Sequence, residues 1–178
     1  MKEKISVIAG IFPIVILADL ITKNWALSAL AGGQRIELFG GIIPLTLAFN
    51  RGAAFGLSLG SNPRWFFIPI TILALMLLIV LLIQAEVRDW LRFVSVSLVI
   101  SGALGNLYDR MRWDRGVVDF IGPIDLGVML WPIFNVADMA ISVGAVLLAI
   151  SFWREEQRDR LCSSEAGDEG IVSEPGNS

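Results

Sequence analysis

Ile133-Phe134-Asn135-Val136-Ala137-Asp138-Met139-Ala140-Ile141-Ser142-Val143-Gly144-Ala145-Val146-Leu147-Leu148-Ala149-Ile150-Ser151-Phe152-Trp153 is mainly apolar throughout, and Asp138 is its only charged residue. A spanning helix needs roughly 20 such residues, so this stretch reads as a membrane helix. Three others fit the same template: about 5–30, interrupted by Asp19 and Lys23; Trp65–Ile83, free of charge; and about 90–108, charged only at Arg92 near its start. The chain is 55% hydrophobic with a mean hydropathy of +0.70, above the roughly 45–50% apolar content of soluble domains. The excess is gathered in blocks. The expected fold is membrane all-α, a four-transmembrane-helix bundle forming one domain over 1–153, followed by a largely disordered cytoplasmic tail over 154–178. Lys2 and Lys4 precede the first apolar run as in a signal peptide, but its length predicts a helix that is retained.

Four spans put both termini on one side. Lys2, Lys4, Arg88, Arg92, Arg154, Arg158 and Arg160 fall there, and Arg35, Arg51, Arg64, Arg110, Arg112 and Arg115 fall on the other. That balance is nearly even. The basic flanks of the first and last helices place the termini in the cytoplasm. The outward connections are then 31–64 and 109–132. The first contains Arg35-Ile36-Glu37-Leu38-Phe39 and Ile43-Pro44-Leu45-Thr46-Leu47-Ala48-Phe49-Asn50, short β-like runs broken by glycine pairs. They predict a small extracytosolic β-sheet element lying on the membrane.

What the chain lacks narrows its chemistry. It has no histidine, and its one cysteine, Cys162, lies in the tail. Imidazole catalysis, a histidine or cysteine metal site and an internal disulfide are excluded. A net charge of −3, without a basic cluster, speaks against nucleic acid. Polar chemistry must therefore come from Asp, Glu, Asn, Ser, Lys or Arg. Three predicted helices each carry a polar pair near the outer end: Asp19 with Lys23, Asn106 with Arg110, and Asn135 with Asp138. Their spacings of three or four share a helix face. Polar residues in a bundle face its interior or a wet cavity, so one shared pocket is expected, with the loop bearing Asp119 folding into it.

Each pair also has a structural reading. Asp19–Lys23 reads first as a clamp between helices, Asp109 beside Arg110 as a local ion pair, and Asp114 as a solvated loop charge. Asp125 reads as a turn residue, Asn50-Arg51-Gly52 as a turn, and Gly102 with Gly105 as close helix packing. Trp25, Trp65, Trp90, Tyr108, Trp131 and Trp153 fit an interfacial belt. Asp138, inside an apolar helix, and Asp119, within Val117-Val118-Asp119-Phe120-Ile121, resist such readings best. If the two meet, like-charge repulsion raises one apparent pKa and the pair titrates as a unit. One carboxylate then activates water while the other protonates the leaving group. A proton relay in a small transporter fits these residues equally well.

Five motifs, in order, resemble the lipoprotein signal peptidases (signal peptidase II) of bacteria: Asp19-Leu20-Ile21-Thr22-Lys23; Phe49-Asn50-Arg51-Gly52-Ala53-Ala54-Phe55-Gly56; Gly102-Ala103-Leu104-Gly105-Asn106-Leu107-Tyr108-Asp109-Arg110; Val117-Val118-Asp119-Phe120; and Phe134-Asn135-Val136-Ala137-Asp138. The resemblance covers about 5–153. It implies an aspartic endopeptidase of the bacterial cytoplasmic (inner) membrane that cuts prolipoproteins before a diacylglyceryl-modified cysteine, needs no cofactor or metal, and is inhibited by globomycin. It further implies that Asp119 and Asp138 form the catalytic dyad. Asn50, Asn106, Arg110 and Asn135 match the family's positioning residues, Asp19 and Lys23 its polar residues near the pocket, and residues around 35–57 its sheet. The expected partners are prolipoproteins, membrane lipids and globomycin-type inhibitors, with the enzyme a monomer and the site near the extracytosolic face. The connection 111–116 departs from the family pattern by about one extra residue and by the charges of Asp114 and Arg115.

Overall fold

A computed structural model describes residues 2–52, 63–85 and 89–171. Four helices are long and apolar enough to cross a membrane. They are α1 (Lys2–Ala29), α2 (Arg64–Gln84), α3 (Trp90–Arg112) and α4 (Val136–Ile171). α3 is the centre of the bundle and touches the other three. Small residues let its neighbours in. A Cβ on Gly102 would stand 2.4 Å from the Ala137 carbonyl oxygen of α4, and one on Gly105 would stand 2.6 Å from Asp19 Oδ2 of α1. The packing role expected of these two glycines is therefore met. α2 closes the bundle more loosely, seating Leu75 against Val96, Ile100 and Leu107 of α3. Trp25, Trp65, Trp90, Tyr108, Trp131 and Trp153 are all exposed, as an interfacial belt requires.

Both predicted β runs are strands, β1 (Arg35–Leu38) and β2 (Ile43–Asn50), and residues 53–57 of the expected sheet lie outside the described residues. A third strand, β3 (Val117–Ile121), occupies the segment expected as a loop. Its β-branched and aromatic residues suit a strand, and Val117 to Phe120 are all buried. β2 pairs antiparallel with β1 on one side and with β3 on the other. Ala48 lies opposite Asp119 and Asn50 opposite Val117, past a bulge between Leu45 and Ala48. Leu45 and Phe120 pack with Ala26 and Leu30, which seats the sheet on the end of α1. A second hairpin of β4 (Ile124–Asp125) and β5 (Leu130–Trp131) follows. Asp125 there accepts from the Gly127 N–H at 2.8 Å, as a turn residue should.

The fourth helix departs from expectation at both ends. It begins at Val136 rather than Ile133, because Phe134 is taken up by the sheet: its N–H donates to Ile121 O at 3.0 Å, and its carbonyl accepts from Phe120 and Ile121. It also continues beyond 153 to Ile171, through residues expected to be disordered. Strong helix formers follow Trp153, and Arg160 pairs with Glu156 one turn away at 2.7 Å. The 111–116 connection is held down by its own charges. Asp114 is exposed, as expected of a solvated loop charge, and pairs with Arg64, while the Arg115 guanidinium lies 4.1 Å from the centre of the Phe49 ring.

Candidate active site

Asn135 immediately precedes α4, where helices leave backbone N–H groups without partners. Its Oδ1 accepts from the Asp138 N–H at 2.9 Å, and Asp138 Oδ2 accepts from the Asn135 N–H at 3.1 Å. This is a reciprocal cap, with the acid at the third helical position. Asp138 is therefore not several residues inside a helix, as the apolar run suggested. It sits in the first turn, where the helix dipole favours a carboxylate. Asp19 Oδ1 accepts from the next free donor, the Ala137 N–H, at 3.0 Å. The polar start of α4 is thus satisfied by side chains from two places in the chain.

Asn135 has a second task. Its Nδ2 donates to Asp119 Oδ1 at 2.7 Å and lies within hydrogen-bond reach of Val118 O and Asn106 Oδ1. One residue thereby touches both aspartates. Asn106 completes the frame: its Nδ2 donates to Asp138 Oδ1 at 2.7 Å, while its Oδ1 accepts from Lys23 Nζ at 3.1 Å. An ammonium has only donors, so Lys23 fixes which end of the Asn106 amide faces Asp138. Lys23 also pairs with Asp19 at 2.8 Å and Asp109 at 2.9 Å, all three buried. The clamp expected of Asp19 and Lys23 is present. The local Asp109–Arg110 pair is not: Asp109 turns inward to Lys23 and accepts from the Val118 N–H at 3.2 Å, tying α3 to the strand that bears Asp119.

The two carboxylates sit in different surroundings. Asp119 is 1% exposed and Asp138 half-buried. Burial, and then the neighbouring Asp138, push the Asp119 carboxyl up to about 6, against the pull of Asn50, Asn135 and Lys23. Asn50 lies near enough to favour the charged form, yet Asp119 Oδ2 has no hydrogen bond of ordinary geometry among the described residues. That buried oxygen is placed to hold a proton. Asn50 itself ends β2, and its Oδ1 accepts from the Gly52 N–H at 2.8 Å, so the expected turn is formed. Arg110 feels both aspartates without forming an ion pair among the described residues, and its guanidinium lies 5.5 Å from the Phe67 ring centre.

All eight singled-out residues, Asp19, Lys23, Asn50, Asn106, Arg110, Asp119, Asn135 and Asp138, thus gather at one end of the bundle, with Arg110 and Asn50 at the rim. Two members of this frame lay outside the sequence expectation. Asp109 pairs with Lys23 rather than with the adjacent Arg110. Gly116, at φ +98°, leaves no room for a Cβ, which would fall 2.3 Å from Asn50 O. A glycine one residue before a β-branched strand was the available signal. The arrangement holds two carboxylates on fixed donors, one buried and one reachable, beside a cation not used up in an ion pair. This is the equipment for acid–base activation of water.

Comparison with known proteins places the chain in a family. The family model described as signal peptidase (SPase) II matches residues 11–154. A lipoprotein signal peptidase from Hydrogenovibrio crunogenus is 39% identical over 157 residues, covering 85% of this chain and 88% of that protein. One from Clostridium acetobutylicum is 41% identical over 135 residues, covering 76% and 86%. A solved structure described as a bacterial membrane enzyme superposes with a TM-score of 0.74 at 32% identity, covering 83% of this chain and 93% of its own. A second, described in the same words, has the same TM-score at 29% identity and covers 89% and 92%. A match across the whole bundle and relatives of near-equal length make this multi-pass membrane protein a peptidase of the signal peptidase II family.

Proposed function

We propose that the chain is a lipoprotein signal peptidase that cleaves prolipoproteins just before a diacylglyceryl-modified cysteine, with Asp119 and Asp138 as the catalytic dyad. The observation that carries this reading is Asn135, which donates to Asp119 and exchanges hydrogen bonds with Asp138. It holds the two carboxylates in one frame and competes with neither for a proton. Asp119, the more buried, keeps the shared proton, polarises the scissile carbonyl by donating a hydrogen bond to it, and gives that proton to the leaving amine as the C–N bond breaks. Asp138 takes a proton from the attacking water, so the pair ends with one proton as it began. Asn106 and Asn135 orient the carboxylates, Arg110 and Asn50 hold peptide carbonyls, and Asp19 with Lys23 maintains the frame.

The substrate is amphiphilic, and the surroundings suit it. A cavity of about 320 Å³ lined by Arg64, Trp65, Ile68, Arg110 and Met111 opens beside Arg110 against the apolar surface of α2. Acyl chains can stay in lipid there while the peptide reaches Arg110. In this reading the protein is a monomer of the bacterial inner membrane with cytoplasmic termini, works at the extracytosolic face, and binds globomycin-type inhibitors at the dyad. A diacylglyceryl-modified prolipoprotein incubated with purified wild type, Asp119→Asn or Asp138→Asn tests it. Cleavage falls about 10²–10⁴-fold in each variant and is lost with globomycin. Cleavage retained in either variant sinks the dyad. A wild-type rate for Arg110→Ala removes the positioning role of Arg110.

A further inference from the structure

At the other end of α3 and α4, ~24 Å along α3 from Asn106 at 1.5 Å per residue, the bundle has a second polar cluster. Asp89 caps α3, its Oδ1 accepting from the Arg92 N–H at 3.1 Å. Its Oδ2 accepts from Ser151 Oγ at 2.9 Å and pairs with Arg92 Nε at 3.2 Å. The Arg92 guanidinium also pairs with Glu155 and lies 4.9 Å from the Phe152 ring centre. The carboxylates of Asp89 and Glu155 are therefore both committed to Arg92. Beside them opens a cavity of about 440 Å³, lined by Trp90, Trp153, Arg154, Gln157 and Arg158 together with Asp89, Leu91 and Ser151. Arg154 and Arg158, one turn apart on the same face of α4, have no ion pair among the described residues.

We infer that this cleft binds the phosphate headgroup of an anionic membrane phospholipid. Four features converge on that ligand. Among the described residues, the uncommitted charges in the cleft are both guanidinium groups, whose forked donors fit phosphate oxygens. Gln157 adds an amide donor for the ester or glycerol oxygens. Trp90 and Trp153, 64% and 61% exposed, mark headgroup depth on either side of the opening. The volume lies within the roughly 300–1,000 Å³ of small-molecule sites. Exposed Val146 and Val143, on the same face of α4 as Arg154 and Gln157, continue from the cleft along the helix as a track for acyl chains. Basic pockets between spanning helices are where anionic headgroups lodge. No known role of the dyad requires this site.

The full chain, purified in neutral detergent, is offered equal amounts of phosphatidylglycerol and phosphatidylcholine, and the retained lipid is read by native mass spectrometry. Wild type keeps phosphatidylglycerol at least tenfold over phosphatidylcholine. The double variant Arg154→Gln/Arg158→Gln loses that preference, whereas Arg160→Gln, on the same helix but outside the cleft, keeps it. In phosphatidylcholine nanodiscs, brominated phosphatidylglycerol quenches tryptophan fluorescence more in wild type than in the double variant. Equal retention by wild type and the double variant overturns the site. Equal loss with Arg160→Gln makes the attraction diffuse and overturns it as well. Inorganic phosphate or glycerol phosphate displacing the lipid at equal concentration reassigns the cleft to soluble anions and refutes a lipid site.

Discussion

α2 and α3 invert the rule that the most hydrophobic helix is buried. The span in α2 has a mean hydropathy of 3.1 and is 6% buried, whereas that in α3 has 1.4 and is 67% buried. In water the ranking would be the reverse. In a bilayer, lipid tails are as apolar as leucine, so hydrophobicity does not press helices together. Unmet polar groups and close packing do. α3 carries Ser95, Ser97, Ser101, Asn106 and Asp109, all buried, and the glycines that let α1 and α4 approach. α2 meets the others mainly through one face, with Phe67 beneath Arg110 and Leu75 against α3. Its exposed leucines and isoleucines suit lipid contact. The candidate site grows on the polar, buried helix and its partners.

The largest test of this contrast removes the cation at the centre of the polar side. Lys23→Met leaves Asp19 and Asp109 buried without their counter-charge. Breaking a buried pair in this way costs about 3–5 kcal/mol. We expect that loss in the unfolding free energy measured by SDS titration from bicelles. It should be accompanied by loss of activity, since Asn106 is no longer held by the Lys23 ammonium. A variant as stable as wild type would show that polarity does not organise α3.

The second test concerns Asp119 and has the opposite sign. Its carboxyl is raised from an ordinary 3.8 to about 6, with burial the leading cause and Asp138 the next. The folded protein thus holds that proton more tightly than the unfolded chain. Its contribution to stability is complete below pH 4 and is lost as the pH rises through 6. Asp119→Asn stays neutral and can still accept from Asn135, so it should match wild type at pH 4 and exceed it at pH 7, by at most about 3 kcal/mol. Melting curves across that window check it. A gap that is constant with pH would assign the Asp119 proton elsewhere.

Smaller again is the cost of crowding the α3–α4 seam. In Gly102→Ala the new Cβ meets the Ala137 carbonyl at 2.4 Å, and the helices must part. Such overpacking costs about 1–3 kcal/mol. Because Ala137 lies between Asn135 and Asp138, cleavage should fall more than stability does. If activity and stability are both unchanged, the seam does not position the dyad.

Much of this was open to reading in one dimension. The spans follow from length and apolarity, and the polar pairs on three of them converge because nothing else at that depth satisfies them. Asp138 departs from its expected mid-helix position for a specific reason. Asn135-Val136-Ala137-Asp138 has the spacing of two residues on one helix face and also that of a cap with its third helical residue. Only the sheet's hold on Phe134 decides between them. Asp109 departs from the expected pair with Arg110 because sequence adjacency says nothing about which way each side chain leaves the helix. The third strand depends on β2 to pair with, a contact far away in the chain.

The smallest effect is the sharpest, because it lies within a single helix. Leu75 and Leu77 are two residues apart in α2, at 7% and 59% exposure. In a soluble protein, Leu→Ala in the core costs about 2–5 kcal/mol, from lost transfer energy plus the cavity. Here the transfer part vanishes, since alanine's new neighbour is hydrocarbon either way. What remains at Leu75 is the cavity against Val96, Ile100 and Leu107, about 1–2 kcal/mol at ~24 cal/mol per Å³. At Leu77 lipid fills the gap, and Leu77→Ala should change stability by less than about 0.5 kcal/mol. Equal costs at the two positions would mean that α2 is buried on both faces, for instance by a second subunit. The contrast with α3 would then belong to the isolated chain rather than to the protein in its membrane.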